Sequence, residues 1–333
     1  MEARSRALRA LWPRLACLGL LVLPGIGASP VAQAGPFEFH SDFWLNLHHF
    51  LYEQALQQGK PREDLAGTEK KAWDYAVAFY RHSMTPHDLL DDPHMQSIDT
   101  ELAEDETLST LVVNGEDGAV WDMLNSVAAI YRAHWWTGQD QANRTWIAAV
   151  TPLVQHHAPL LMRQLTTVYE ATWPKDPIRV DLAEYANWAG AYTYTYGWGR
   201  VHEIMSSTNA GYQGNAALEM LFHEATHGMI PADSGRLAIQ IFAAAKSNGV
   251  ETPNDLVHMF IFYTAGELTR RDLAAAGVSN YVPFADENRL YQQDWARWHG
   301  SIEVYWKQHI DGTLSLNDAV SKIVADARGK GAK

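Results

Sequence analysis

Cysteine is nearly absent from this 333-residue chain, because Cys17 is the only one. A chain processed beyond Cys17 forms no disulfide bonds and offers neither thiolate metal ligands nor a cysteine nucleophile. Any metal site must then be built from His, Asp or Glu side chains.

Positive charge is also scarce, with 26 Lys and Arg against 39 Asp and Glu and a net charge of −13. This excess of negative charge disfavours nucleic acids and anionic membrane surfaces as partners.

Long hydrophobic runs are missing as well. No apolar run after residue 34 approaches the about 20 residues that a membrane-spanning helix needs, so we expect no membrane insertion after that point. The content of 47% hydrophobic and 20% charged residues is ordinary for a globular protein.

The first 34 residues have the layout of a cleavable secretory signal. A basic start with four Arg precedes an apolar run at residues 15–22, and Ala32, Gln33 and Ala34 have the small-x-small form of a cleavage site. We therefore predict cleavage after Ala34 and a secreted or periplasmic location. Cleavage would remove four Arg and one Glu, which takes the net charge from −13 to −16.

The remaining chain reads as two regions. Residues 35–175 show apolar side chains at helical spacing, and residues 176–333 begin with alternating apolar and polar positions at 178–182, 192–196 and 201–206 before the helical pattern returns. This order predicts an α+β fold, mostly α, with a small sheet of about three strands between the helical segments. The two regions are compatible with one continuous domain.

The segment most informative about function is His223-Glu224-Ala225-Thr226-His227, which lies in an apolar stretch that begins at about residue 216. Residues four apart on a helix share one face, so His223 and His227 can bind one metal ion together. Glu224 projects nearby, where it can act as a general base on a water. The pattern predicts a zinc site with Glu224 as the catalytic carboxylate.

A third protein ligand is needed, and Glu267 is the first candidate. Glu267 lies on an apolar face of a predicted helix, where a carboxylate is costly unless it is paired or bound to a metal. The alternative for Glu267 is a salt bridge to Arg270 or Arg271. His258 lies nine residues before Glu267 and is expected near the opposite face of that helix.

Asp233 is the second candidate for the third ligand. It follows His227 by six residues, which is the spacing of the third ligand in one class of zinc proteases. That class also needs Gly three residues after the second His, and this chain has Ile230 there. A supporting role for Asp233, orienting His223 or His227, stays open.

The motif with a downstream glutamate resembles the gluzincin group of zinc metallopeptidases. This resemblance implies that His223, His227 and Glu267 bind zinc and that Glu224 is the general base. It covers residues 178–272 and departs from the group in two ways. The gap between His227 and Glu267 is longer than in the best-known members, and Arg271 stands where several members have an Asp.

The resemblance also implies a substrate-binding strand and an oxyanion-stabilising side chain. The counterpart of the strand is residues 187–196, and Asn187, Trp188 and Ala189 are its candidate substrate contacts. A Tyr or His often stabilises the oxyanion in such sites, and the candidates here are Tyr263, Tyr281 and His299.

Two functions are compatible with these observations. The first is an exported zinc-dependent hydrolase, a metallopeptidase, with peptide or protein substrates. The second, favoured by the 13 Trp and 14 Tyr residues, is an exported aromatic-rich binding protein for peptides or glycans whose metal is structural or absent. The oligomeric state is not indicated by the sequence.

Overall fold

The computed structural model describes residues 32–57, 65–197, 199–293 and 295–330. Most of the predicted signal segment, residues 1–31, lies outside the described residues. The fold is α+β and mostly helical, as predicted, but its sheet has five strands instead of about three. The strands are β1 (Ala32–Ala34), β2 (Phe37–His40), β3 (Ile178–Ala183), β4 (Ala191–Tyr196) and β5 (Arg200–Ser206).

The helices fall into three groups along the chain. Before β3 lie α1 (Phe43–Leu56), α2 (Gly67–Ser83), α3 (Pro93–Glu104), α4 (Gly118–Tyr131) and α5 (Thr137–Tyr169). After β5 lie α6 (Gly214–Met229), α7 (Arg236–Asn248) and α8 (Leu256–Ala275). The last group is α9 (Phe284–Glu287), α10 (Ala296–Ser301), α11 (Lys307–Ile310) and α12 (Leu316–Lys330).

The strand order is β1-β2-β3-β5-β4. β2, β3 and β5 are parallel, whereas β1 and β4 are antiparallel to their neighbours at the two edges. β2 precedes residue 175 and β3 follows it, so strand pairing crosses the boundary between the two predicted regions. The three strands predicted from alternation, β3, β5 and β4, lie side by side.

Each face of the sheet covers its own hydrophobic core. Val180, Leu182 and Met205 point to the face that packs against α5 and α6. Ile204 and Tyr192 point to the opposite face, which α1 to α4 cover. Side chains on a strand alternate between faces, so β3, β4 and β5 contribute to both cores.

Helix α6 lies unusually close to β5. A Cβ atom at Gly228 would come within 2.6 Å of a methyl carbon of Val201, which is closer than non-bonded carbon atoms approach in real structures. Every residue from Ala217 to Thr226 is buried, because the sheet, α5 and α8 enclose the helix. This enclosure explains why most residues of α6 are apolar on every side of the helix and not on one face only.

Buried polar contacts fix β4 from the face opposite α6. The Tyr192 hydroxyl donates to Asp99 Oδ2 at 2.5 Å, and His49 Nε2 lies 3.1 Å from Asp99 Oδ1. Asp99 and His49 are fully buried, so these bonds replace water. β4 is therefore an edge strand with a fixed position.

No helix in the described ranges has both the length and the apolar character needed to cross a bilayer.

Candidate metal centre

His223 and His227 lie one turn apart on the same face of α6, as predicted. Their Nε2 atoms are 3.3 Å apart, and their ring centroids are 5.1 Å apart. His223 is fully buried, whereas His227 borders a cleft. The helix thus presents two imidazole nitrogens to one point.

His258 on α8 completes the group. Its Nε2 lies 2.9 Å from Nε2 of His223, and ligand atoms of the three histidines all lie within 4.8 Å of one another. Two nitrogens that each lie about 2.0–2.1 Å from a zinc ion in tetrahedral geometry are about 3.3 Å apart. The observed separations fit a three-histidine metal centre.

Phe262 holds the imidazoles of this centre in place. It lies one turn after His258 on α8, and its ring centroid is 4.6 Å from that of His258 and 4.0 Å from that of His223. The buried Nδ1 of His223 has no hydrogen-bond partner in the described part of the chain. In many metal sites a hydrogen bond to the second ring nitrogen orients a histidine ligand. For His223, packing against Phe262 takes that role.

All three histidines are neutral near pH 7. Burial and the neighbouring imidazoles His258 and His227 hold the pKa of His223 well below its ordinary value. Burial, then His258, lowers the pKa of His227 to about 3, and burial lowers that of His258 to about 4 against the opposing charge of Asp255. A neutral imidazole keeps a free lone pair, which is the form that binds a metal.

Glu267, predicted as the third ligand, does not join the histidine pair. Its carboxylate accepts hydrogen bonds from Arg270 Nε at 2.9 Å and from Arg271 Nε at 2.7 Å. Nine residues separate Glu267 from His258, which places the two side chains about 180° apart around α8. The salt-bridge alternative is the observed arrangement, and the side chain that lies beside the histidine pair is His258.

Asp233, the second candidate, also lies away from the histidines. It is exposed in the turn after α6, where its Oδ1 accepts a 2.8 Å hydrogen bond from Ser234. It lines a separate recess with Phe242. Its neighbour Ala232 lines the cleft that the histidines border, but Asp233 itself does not.

Glu224 is 5% exposed and lies in the wall of the same cleft as the histidines. The Thr193 hydroxyl on β4 donates to its Oε2 at 2.8 Å. Burial raises the pKa of Glu224 to about 7, and the bond from Thr193 opposes this shift. The predicted general base is thus oriented by a side chain that the sequence had not singled out.

A second carboxyl, Glu203, lies behind Glu224. Glu203 on β5 is paired directly with Thr193 on β4, so both side chains point toward α6. It is fully buried, and neither carboxylate oxygen has a hydrogen-bond partner among the residues that the structure describes. Burial and the nearby Glu224 raise the pKa of Glu203 well above its ordinary value.

The cleft, which we call the metal cleft, has a volume of about 360 Å³. The edge strand β4 forms one wall, and α6 and α8 form the other. Its polar and aromatic lining comprises Asp91, Trp188, Thr193, Tyr212, His223, Glu224, His227, Asn254, Asp255, His258 and Phe262. A metal ion bound by the histidines would face this cleft.

Two of the three predicted substrate contacts line the metal cleft. Trp188 and Ala189 do so, whereas Asn187 is buried and accepts hydrogen bonds from the backbone N–H groups of Ala189 and Gly190 at 2.8 and 2.7 Å. Asn187 therefore shapes the loop before β4 and does not reach the cleft.

The three predicted oxyanion stabilisers lie outside the metal cleft. The Tyr281 hydroxyl donates to Glu219 Oε2 at 2.6 Å. Tyr263 packs near Tyr291, and His299 stacks on that same ring with a centroid distance of 4.3 Å. These residues hold the C-terminal helices together. The tyrosine whose side chain lines the metal cleft is Tyr212.

No protein-family model, no curated protein and no solved structure shows a significant match to the chain. The resemblance to gluzincins consequently rests on the motif residues alone.

Proposed function

We propose that this chain is an exported zinc-dependent hydrolase that cleaves peptides or proteins. The observation that carries the proposal is the convergence of three neutral imidazole Nε2 atoms beside Glu224 at the wall of a cleft. Structural zinc sites are closed by four protein ligands. In the described part of the chain only three candidate ligands converge here, which favours a catalytic centre.

His223, His227 and His258 would hold the zinc ion. When bound there, zinc supplies Lewis-acid polarisation of a carbonyl and lowers the pKa of water. Three neutral histidines would leave the ion its full positive charge, which would stabilise the negative charge that develops on the carbonyl oxygen. This combination is suited to hydrolysis of an amide bond.

Glu224 would remove the proton from the attacking water and later deliver it to the leaving nitrogen. Thr193 occupies Oε2, so the other oxygen, Oε1, is the one that exchanges the proton. The low exposure of Glu224 keeps bulk water from competing for that proton.

Strand β4 would bind the substrate backbone. It is an edge strand, and Ala191, Tyr192 and Thr193 line the metal cleft. An extended peptide can add to such an edge through main-chain hydrogen bonds. A peptide bound in this way would pass Glu224 and the histidines.

The test is digestion of a diverse peptide mixture by the zinc-loaded mature chain, with product analysis by mass spectrometry. Glu224→Gln keeps the shape of the side chain and should lower kcat by about 10²–10⁴-fold while zinc content stays at one ion per chain. Full activity in this variant, or absence of zinc from the wild-type protein, would refute the proposal.

A further inference from the structure

A second recess adjoins the metal cleft. It has a volume of about 340 Å³ and shares Trp188, Tyr212, Asp255, His258 and Phe262 with the cleft. We call it the aromatic recess. Its apolar lining is Trp188, Tyr212, Phe262, Phe284, Leu290 and Trp295.

The aromatic recess is a built pocket with fixed walls. The ring of Phe284 stacks on that of Phe262, with a centroid distance of 6.1 Å and planes 8° apart, and it also packs against Tyr212 at 5.4 Å. The backbone N–H of Phe284 donates to the buried Glu219 at 3.0 Å. The wall that carries Phe284 is thereby anchored to α6, four residues before His223.

Trp188 stands at the junction of the metal cleft and the aromatic recess. It is 73% exposed, although large aromatic side chains are usually buried. The loop that presents it is held rigidly, because Tyr212 donates to the carbonyl of Ala189 at 2.6 Å and Asn187 accepts from two backbone N–H groups. A Cβ at Gly190, which has a φ of +92°, would come within 2.4 Å of Asn209. The backbone that carries Trp188 is thus fixed, and its exposed side chain lines the recess.

We propose that the aromatic recess binds one bulky aromatic side chain of a peptide substrate, on the residue next to the bond that is cleaved. This inference rests on the proposed function, because it takes the occupant to be part of a peptide. His258 borders both cavities, so a side chain in the recess belongs to a residue whose backbone lies beside the metal centre.

The volume of the recess and the charges around it restrict which side chains can bind there. Ligand pockets span about 300–1,000 Å³, so a recess of about 340 Å³ suits a single ring system. Asp255 is exposed at the junction, and Asp91 also lines the metal cleft. These carboxylates disfavour an acidic side chain, and the apolar walls disfavour a small or strongly polar one. The expected order of preference is Phe or Tyr over Ala, with Asp and Glu last.

Binding to the recess can be tested without hydrolysis. N-acetylphenylalanine amide and N-acetylalanine amide are titrated into the metal-free mature chain and followed by NMR. The phenylalanine probe should bind at least about tenfold more tightly than the alanine probe and should shift signals of Trp188 and Leu290. Trp188→Ala should abolish most of that difference, and Asn288→Trp, which fills the recess from an exposed position, should block the phenylalanine probe. Tyr75→Ala, which removes an equally exposed aromatic ring from α2, is the matched control and should change nothing.

Equal affinity for the two probes, or unchanged binding in both recess variants, would overturn the inference. Tighter binding of N-acetylglucosamine than of the phenylalanine probe would also overturn the inference, because it would assign the recess to a sugar.

A second experiment measures kcat/KM of the zinc-loaded enzyme on peptides that differ only at the residues flanking the cleaved bond. Probe binding without any cleavage would refute the hydrolase and leave an aromatic-binding recess, whereas cleavage without aromatic preference would refute only the recess assignment.

Discussion

The Thr193 hydroxyl donates a 2.8 Å hydrogen bond to Glu224 Oε2 and so joins the edge strand β4 to helix α6. The strand that we propose to bind substrate therefore also orients the proposed base. A change in the position of β4 would move both at once.

Thr193→Val tests this link, because it removes the hydroxyl and keeps the shape of the side chain. We expect kcat to fall by about 10- to 100-fold, since a hydrogen bond to a charged group contributes about 1.5–3 kcal/mol. Zinc content should not change. Thr193→Ser retains the donor and should restore most of the activity. An unaltered kcat in the valine variant would show that Glu224 needs no orientation by β4.

The identity of the third ligand can be tested with two variants of the same helix. His258→Ala should weaken zinc binding by more than about 100-fold, because the loss of an outer partner alone typically costs about 10- to 100-fold. Glu267→Gln should retain one zinc ion per chain, although it loses charge in its bonds to Arg270 and Arg271. Metal analysis after dialysis against a competing chelator distinguishes the two. The opposite pattern would restore Glu267 as the ligand.

The buried carboxyl of Glu203 should reduce stability. Neither of its oxygens has a hydrogen-bond partner in the described ranges, and an unpaired buried polar group costs about 1–3 kcal/mol. Glu203→Met should therefore raise the free energy of unfolding by about that amount, as measured by urea denaturation at pH 7. Met205→Leu, at the next position on the same face of β5, should change it by less than about 1.5 kcal/mol. A loss of stability in the Glu203 variant would reveal a partner for this carboxyl.

Glu219 should make stability depend on pH. Burial raises its pKa to about 8 in the folded protein, against the hydrogen bonds from Tyr281 and Phe284, whereas the unfolded value is about 4.3. The folded state thus holds a proton that the unfolded state has lost, and stability from this group falls as pH rises from about 4.3 to about 8. The slope is at most about 1.4 kcal/mol per pH unit.

Glu219→Gln should remove this part of the pH dependence. Urea denaturation at pH 5, 6, 7 and 8 should show the variant gaining stability relative to wild type as pH rises. Glu251→Gln changes an exposed carboxylate that does not contribute to the pKa of Glu219 and should leave the slope as it is. Parallel curves for wild type and the Glu219 variant would contradict the raised pKa.

The two-histidine half of the site was predictable from sequence because it depends only on the period of one helix. The position of His258 beside this pair was not, because it depends on the rotation of α8 against α6. Glu267 was predicted as a ligand because it is a carboxylate on an apolar face. Its hydrogen-bonding partners are instead Arg270 and Arg271. The face of α8 that packs against His223 on α6 is the one that carries His258 and Phe262, opposite Glu267.

In the sheet, too, some strands could be predicted from local sequence and others could not. Alternation along β3, β4 and β5 is a local signal, and those strands were predicted at nearly their observed positions. β1 and β2 have three and four residues, too few to show a period, and the pairing of β2 with β3 joins segments more than a hundred residues apart. Ala32–Ala34 also fell within the predicted signal peptide. Thr193 was missed as a functional residue for a related reason, because nothing local connects it to Glu224.

The missing side chain at Gly228 governs how deeply α6 sits against the sheet. Even a single methyl group there would collide with Val201 and force the helix outward. His227 immediately precedes this glycine and His223 lies five residues before it, so both imidazoles would be displaced relative to His258. The spacing between the imidazoles of α6 and that of α8 therefore depends on a residue that has no side chain and is not itself a candidate metal ligand.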